Sequence, residues 1–164
     1  MKNAIKQRYY IDIDEDGTKR YYVNKVLHRE DGPAVEFCSG RKEWWVNGLL
    51  HREDGPAIEY VGGRKEWYKN GKFHREDGPA IEAGNGDKFW YKNNTFHREN
   101  GPAIEYAMGD KEWYKNGKRH REDGPAVEYI SGNKDWFLNG EFCGANDDFT
   151  VASWKTFVKT LIFS

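Results

Sequence analysis

The heptapeptide HREDGPA begins at His28 and returns at His51, His74 and His120; at His97 it reads HRENGPA. The spacing is 23 residues each time, with no insertion or deletion. A fixed period of roughly 20–50 residues is the signature of a stacked array, and it outranks other fold signals. A unit this small cannot bury a core alone, so stability must come from the interfaces between successive units.

One unit, PAIEYVGGRKEWYKNGKFHREDG, runs from Pro56 to Gly78 and divides at its turn residues. AIEY predicts a short strand and KEWYK a second, with a turn glycine between them that recurs as Gly40, Gly63, Gly86, Gly109 and Gly132. Asn-Gly (Asn47-Gly48, Asn70-Gly71, Asn116-Gly117, Asn139-Gly140) is the strongest two-residue hairpin signal, because both central residues take positive φ. Asn93-Asn94 replaces it once, and Asn tolerates that conformation. A third extended piece, KFH, leads into REDGP, where Asp, Gly and Pro predict another turn. The expected fold is an all-β repeat array of stacked 23-residue hairpins, an elongated single sheet or solenoid, closed by a C-terminal amphipathic helix.

Three segments follow. Residues 1–27 form an N-terminal cap with a degenerate first repeat, in which Tyr21, Tyr22, Val23 and Asn24 match Trp44, Trp45, Val46 and Asn47. Residues 28–142 carry the repeats, and 143–164 form the second cap. There Trp154, Phe157, Val158, Leu161 and Ile162 follow helical spacing, with Asp147 or Asp148 expected to cap the start. This helix is expected to cover the open edge of the last repeat.

Mean hydropathy is −1.00, a value typical of disorder, yet 16% of the residues are aromatic, which disordered chains are not. The two facts together predict a thin fold with a narrow aromatic core. Lys and Arg number 26 against 27 Asp and Glu, so no net charge draws the chain to nucleic acid or anionic membrane. Cys38 and Cys143 lie near opposite ends of the array and are read as free thiols of a reducing compartment. No apolar run approaches the roughly 18 residues of a membrane span, and MKNAIKQRYY lacks the apolar stretch of a secretion signal. A soluble cytoplasmic protein is the expectation.

Histidine, arginine and two acids at fixed spacing resemble a chemical motif, but copying argues otherwise. Equivalent histidines in successive units would stand roughly 10 Å apart, too far to share a metal ion. A catalytic constellation is singular, whereas these residues occur in every unit and must serve what every unit does. Arg29, Arg52, Arg75, Arg98 and Arg121 are expected to pair either with Glu36, Glu59, Glu82, Glu105 and Glu128 or with Glu30, Glu53, Glu76, Glu99 and Glu122. The imidazole is expected to bond a turn carbonyl. DIDEDG, Asp12 to Gly17, opens like a calcium loop, but the twelfth position holds Val23 where that loop needs glutamate, and Gly17 aligns with the turn glycine. No catalytic residue, metal or cofactor is expected.

At YKNGKRH, Tyr114 to His120, with its aromatic strand and Asn-Gly-Lys turn, the sequence resembles the MORN repeat over residues 9–142. It departs where that family writes His-Gly-x-Gly and this chain has His-Arg-Glu-Asp-Gly-Pro-Ala, which is similar to a variant found in phages, giant viruses and bacterial antitoxin-like proteins. The resemblance implies a scaffold that binds another protein and not an enzyme, residing in the host cytoplasm if phage-encoded.

Specificity must then lie in displayed or varying residues. Adjacent aromatics point to opposite faces of a strand. The first column, Trp44, Trp67, Trp90, Trp113 and Trp136, is expected in the core. The second, Trp45, Tyr68, Tyr91, Tyr114 and Phe137, either lines an outer face that grips a partner or packs inside as well. In the third unit Ala83, Asn85, Phe89 and Asn94 break the pattern together, through function or through drift. Three functions are weighed: a scaffold that grips and neutralises a protein, a binder of small ligands or carbohydrate along the aromatic row, and a nucleic-acid binder using Lys42, Lys65, Lys88, Lys111 and Lys134. Acids beside those lysines favour a ladder of ion pairs over nucleic acid, and lipid binding is disfavoured by the departure from the MORN pattern. Whether two copies form a homodimer is left open by the sequence.

Overall fold

A computed structural model describes residues 9–162; residues 1–8 of the expected N-terminal cap, and the side chain of Ile162, lie outside the described residues. The chain forms two compact units divided between Lys72 and Phe73. Both are built from the same two-hairpin repeat, and the second adds the helix.

In the N-terminal unit the sheet runs Tyr10–Ile13, Lys19–Val23, Val35–Glu36, Lys42–Glu43, Ile58–Glu59, Lys65–Glu66, all antiparallel, with Val26–Leu27 paired to Lys19–Val23. In the C-terminal unit it runs Ile81–Glu82, Lys88–Phe89, Ile104–Glu105, Lys111–Glu112, Val127–Glu128, Lys134–Leu138, Glu141–Ala145. Most of these strands are two residues long because a bend follows each pair. Beyond the bend the chain makes a second, separate hairpin, such as Trp45–Val46 with Leu49–Leu50 or Tyr91–Lys92 with Thr95–Phe96.

The turn chemistry is the one the sequence prescribes. Asn47 and Gly48 take φ of 51° and 76°, and Asn93 and Asn94 take 54° and 67°. The other turn glycine closes the main-sheet hairpin, as where Gly63 N–H donates to Tyr60 O. Gly17 does the same to Asp14 O at φ 85°, so DIDEDG is the turn of the degenerate first repeat, and Asp16 Oδ1 accepts from Thr18 N.

The core is thin. Ala34, Ala57, Ala80, Ala103 and Ala126 are fully buried, and beside each stands a buried β-branched residue, Val35, Ile58, Ile81, Ile104 or Val127. The alanine carbonyl accepts the N–H of the first-column aromatic, as in Trp44 to Ala57 and Trp113 to Ala126, both at 2.8 Å. The first Trp column is therefore not the core it is expected to be: Trp44, Trp67, Trp90 and Trp113 are half-buried, and only Trp136, at 1% exposure, is enclosed. Two-residue strands leave no second layer to bury an indole, so something else must cover it.

That cover is the motif arginine. The Arg29, Arg52, Arg98 and Arg121 guanidiniums lie 3.9–4.0 Å over the rings of Tyr21, Trp44, Trp90 and Trp113. Each guanidinium also abuts a glycine: a Cβ on Gly55 would stand 3.0 Å from Arg52 Cζ, and one on Gly124 2.9 Å from Arg121 Cζ. The glycine of HREDG is there for that close approach.

Trp136 has Gly144 at the place where an arginine would cover it, and Trp154 takes over with ring centroids 5.2 Å apart. The helix Val151–Ile162 thus packs Trp154 and Val158 onto Trp136 and Leu138, covering a face of the last strands rather than their edge. Its cap is Thr150, whose Oγ1 accepts from Ser153 N, and not Asp147 or Asp148. Those two sit in a 3₁₀ turn, Asn146–Asp148, where Asp148 Oδ2 accepts from Ala145 N. No helix among the described residues is long and apolar enough to cross a membrane.

Candidate functional site

Each repeat commits its motif side chains to the frame. Besides covering an indole, Arg52 donates from Nε to Asp54 Oδ1 (2.8 Å) and from Nη1 to Pro56 O (3.2 Å) and Glu59 Oε1 (3.0 Å). Arg29, Arg75 and Arg121 repeat this set, and Arg98 repeats all but the aspartate bond, Asn100 standing in that place. Of the two expected glutamate columns, the arginines take Glu36, Glu59, Glu82, Glu105 and Glu128. The hydrogen bond from Arg52 holds the Asp54 carboxyl below the usual carboxylate range, and Asp31, Asp77 and Asp123 are held likewise.

The histidines take the other column. Nε2 faces Glu30, Glu53, Glu76, Glu99 and Glu122 at 2.8–3.6 Å. The ring does not reach a turn carbonyl; instead Nδ1 of His28, His51, His97 and His120 accepts the backbone N–H of Asn47, Asn70, Asn116 and Asn139. His74 Nδ1 stands 3.0 Å from Asn93 Oδ1. The Asn-Gly turn exposes an amide with no ladder partner, and an imidazole nitrogen satisfies it. Accepting at Nδ1 leaves the proton on Nε2, directed at glutamate.

The second aromatic column is half-buried as well, and the polar atoms of Trp45, Tyr68 and Tyr114 are occupied. Trp45 Nε1 donates to Glu43 Oε2 (2.8 Å), Tyr68 Oη to Glu66 Oε2 (3.1 Å) and Tyr114 Oη to Glu112 Oε2 (3.0 Å). Those three glutamates are buried, and Arg41, Arg64 and Arg119 neutralise them. Burial, then the Glu66 charge, pushes the Tyr68 hydroxyl well above its ordinary range. Tyr91 stacks on Phe96 at 4.2 Å, and Phe137 meets Phe142 at 5.3 Å.

The third-repeat departures are coupled. Phe89 stands where other repeats bury an acid, and packs on Phe96 and Tyr106. Ala83 stands where Tyr60, Tyr106 and Tyr129 occur; Tyr106 and Tyr129 hydroxyls reach Glu112 and Asp135. With no carboxylate at 89, a tyrosine at 83 would lose its acceptor. Asn85 bonds Asp87 within the turn, and Asn94 Oδ1 accepts from Phe73 N (2.6 Å). Phe89→Glu is accordingly expected to destabilise the C-terminal unit by about 1–3 kcal/mol. Adding Ala83→Tyr should recover roughly half of that loss. Urea midpoints of the two single variants and the double variant measure the coupling, and strict additivity would refute it.

The lysines Lys42, Lys88 and Lys111 face glutamates across the strands, Lys42 between Glu36 and Glu59 and Lys111 between Glu105 and Glu128. Alternation of sign across the sheet makes this a charge ladder.

Two open surfaces among the described residues bear on function. One is a series of grooves between successive HRED segments. In the N-terminal unit a groove of about 460 Å³ lies between Arg29–Gly32 and His51–Asp54, floored by Trp44 and Val46. The C-terminal unit has two, of about 470 and 340 Å³, each containing a Trp-Tyr-Lys run, Trp90 to Lys92 and Trp113 to Lys115. The other is a patch on adjacent turn tips, where Met108 is 79% and Ile130 71% exposed and Tyr106 and Tyr129 flank them. The two turns touch: Ile130 N donates to Asp110 Oδ1 (2.7 Å). The patch lies in the stretch after the first strand of each repeat, one of the segments that vary from unit to unit, but variation alone does not say which side chains stand exposed. No family model matches the chain, and no curated protein matches it.

Proposed function

We propose that this chain is a non-enzymatic, MORN-like scaffold that binds another protein, with neutralisation of that partner, in the manner of a phage-encoded or antitoxin-like inhibitor, as its use. The turn-tip patch of Tyr106, Met108, Tyr129 and Ile130 carries this reading. Exposed methionine, tyrosine and isoleucine on neighbouring rigid turns form an apolar surface the fold does not need, and such residues are enriched at protein interfaces. The groups able to do chemistry support it from the other side, since the motif arginines and histidines are engaged within the frame. Carbohydrate binding along the second aromatic column has less support, because the Tyr68 and Tyr114 hydroxyls are given to Glu66 and Glu112.

The test is capture from a lysate of the source cells on immobilised protein, beside a Met108→Glu, Ile130→Lys variant. Both sites are exposed, so the variant should fold. A single stoichiometric protein is expected on the parent chain and at least about tenfold less on the variant, an interface loss of about 1.4 kcal/mol or more. Equal capture by both would remove the patch from the reading, and no capture by either would overturn protein binding. Loss of the captured protein's own activity on adding the chain tests neutralisation.

A further inference from the structure

Among the differences between the grooves of the two units is one basic side chain. In the C-terminal unit each groove contains a lysine of this chain, Lys92 or Lys115. Lys115 Nζ stands 3.8 Å from Glu122 Oε1, and Glu99 is held below the usual carboxylate range by the His97 hydrogen bond first, with Lys92 and Lys115 adding to it. The groove of the N-terminal unit has Val46 in that place. Its rim carries Glu30, Asp31, Glu53 and Asp54 against Arg29 and Arg52, and those arginines also serve Glu36 and Glu59. The glutamate equivalent to Glu122 is Glu53, whose side chain is 82% exposed.

We infer that the groove between Arg29–Gly32 and His51–Asp54 takes a lysine side chain of a protein partner, its methylene stem against Trp44 and Val46 and its ammonium between Glu30 and Glu53. The inference rests on the protein-binding reading above and adds a basic residue to the partner's chemistry. The occupant is the one the other grooves already hold: where the chain supplies Lys115 it stands beside Glu122, and where it supplies Val46 the groove keeps an apolar floor and a rim on which four acids face two arginines. Lysine suits such a site because its stem packs on apolar surface while its head stays at the polar rim.

The probe is the blocked peptide acetyl-Gly-Lys-Gly-amide, titrated at low salt into ¹⁵N-labelled full-length chain. Saturating amide shifts are expected at residues 44–46 and 51–54. Val46→Lys should abolish them, since it places in this groove the residue its counterparts carry, with the circular dichroism spectrum unchanged. Glu53→Gln should weaken binding roughly tenfold, the loss of about 1.4 kcal/mol of charge-assisted contact. Acetylation of the peptide lysine should remove binding. Shifts that survive Val46→Lys, or that fall in the C-terminal grooves, would overturn the assignment, as would equally tight binding of spermidine, which would mark an amine site and not a lysine reader. If the peptide fails while the turn-tip variant still loses capture, the groove falls and protein binding stands; if the peptide binds and no protein is captured, the reverse holds.

Discussion

Replacing Trp154 by alanine is expected to lower the stability of the C-terminal unit by about 3–5 kcal/mol, the range for truncating a buried large aromatic. The indole is fully buried and joins Trp136, Phe149 and Phe157 in one aromatic cluster, with centroids 5.1–5.5 Å from it. It also donates from Nε1 to Arg121 O at 3.0 Å, so its loss strips a backbone carbonyl of its partner. The C-terminal repeat has no arginine to cover Trp136, and the helix would retain one enclosed anchor, Val158. Val151→Ala on the exposed first turn should change the stability by less than about 0.5 kcal/mol. Urea unfolding followed by tryptophan fluorescence separates the two. A Trp154→Ala chain as stable as its parent would mean that the helix is no cap.

The fold was legible because its signals are local and repeated. Asn-Gly dictates positive φ at Asn47 and Gly48 whatever surrounds it, and the same holds for the turn glycine at Gly63. Trp154 and Val158 were legible from helical spacing, since one face of a single helix meets the sheet. The place of the indoles was not. Alternation says that Trp44 and Trp45 face opposite ways, but not which neighbour covers each, and the neighbour of Trp44 is an arginine eight residues on and across a turn. Hydrophobicity points an indole inward, whereas stacking on a guanidinium leaves it half-covered at the surface. The helix cap was missed for a related reason: Asp147 and Asp148 have the right chemistry, but a 3₁₀ turn had already used that stretch. The lysine-to-valine change at Val46 is visible in the aligned repeats, yet only the groove beside it makes the missing charge meaningful.

The packing of the guanidinium against indole and glycine is the element on which the repeat depends, and it separates a stacking role from an ionic one. Arg52→Ala is expected to cost the N-terminal unit about 2–3 kcal/mol: one side of an ion pair with Glu59 is lost, and the Trp44 face and the Pro56 carbonyl are exposed. That lies below the cost for a fully buried pair because Glu59 is itself partly exposed and water screens it. Arg52→Lys should keep most of the loss, since an ammonium has neither the planar face nor the fork that serves three acceptors together. Asp54→Ala should leave the midpoint nearly unmoved, because its carboxylate is open to water although bonded to the same arginine. Gly55→Ala should cost a part of what Arg52→Ala costs, as its Cβ would come within 3.0 Å of the guanidinium carbon and displace it by a few tenths of an ångström. Were the motif held by surface charge alone, Asp54→Ala would match Arg52→Ala and Gly55→Ala would be silent; chemical denaturation of the four variants decides between the two orders.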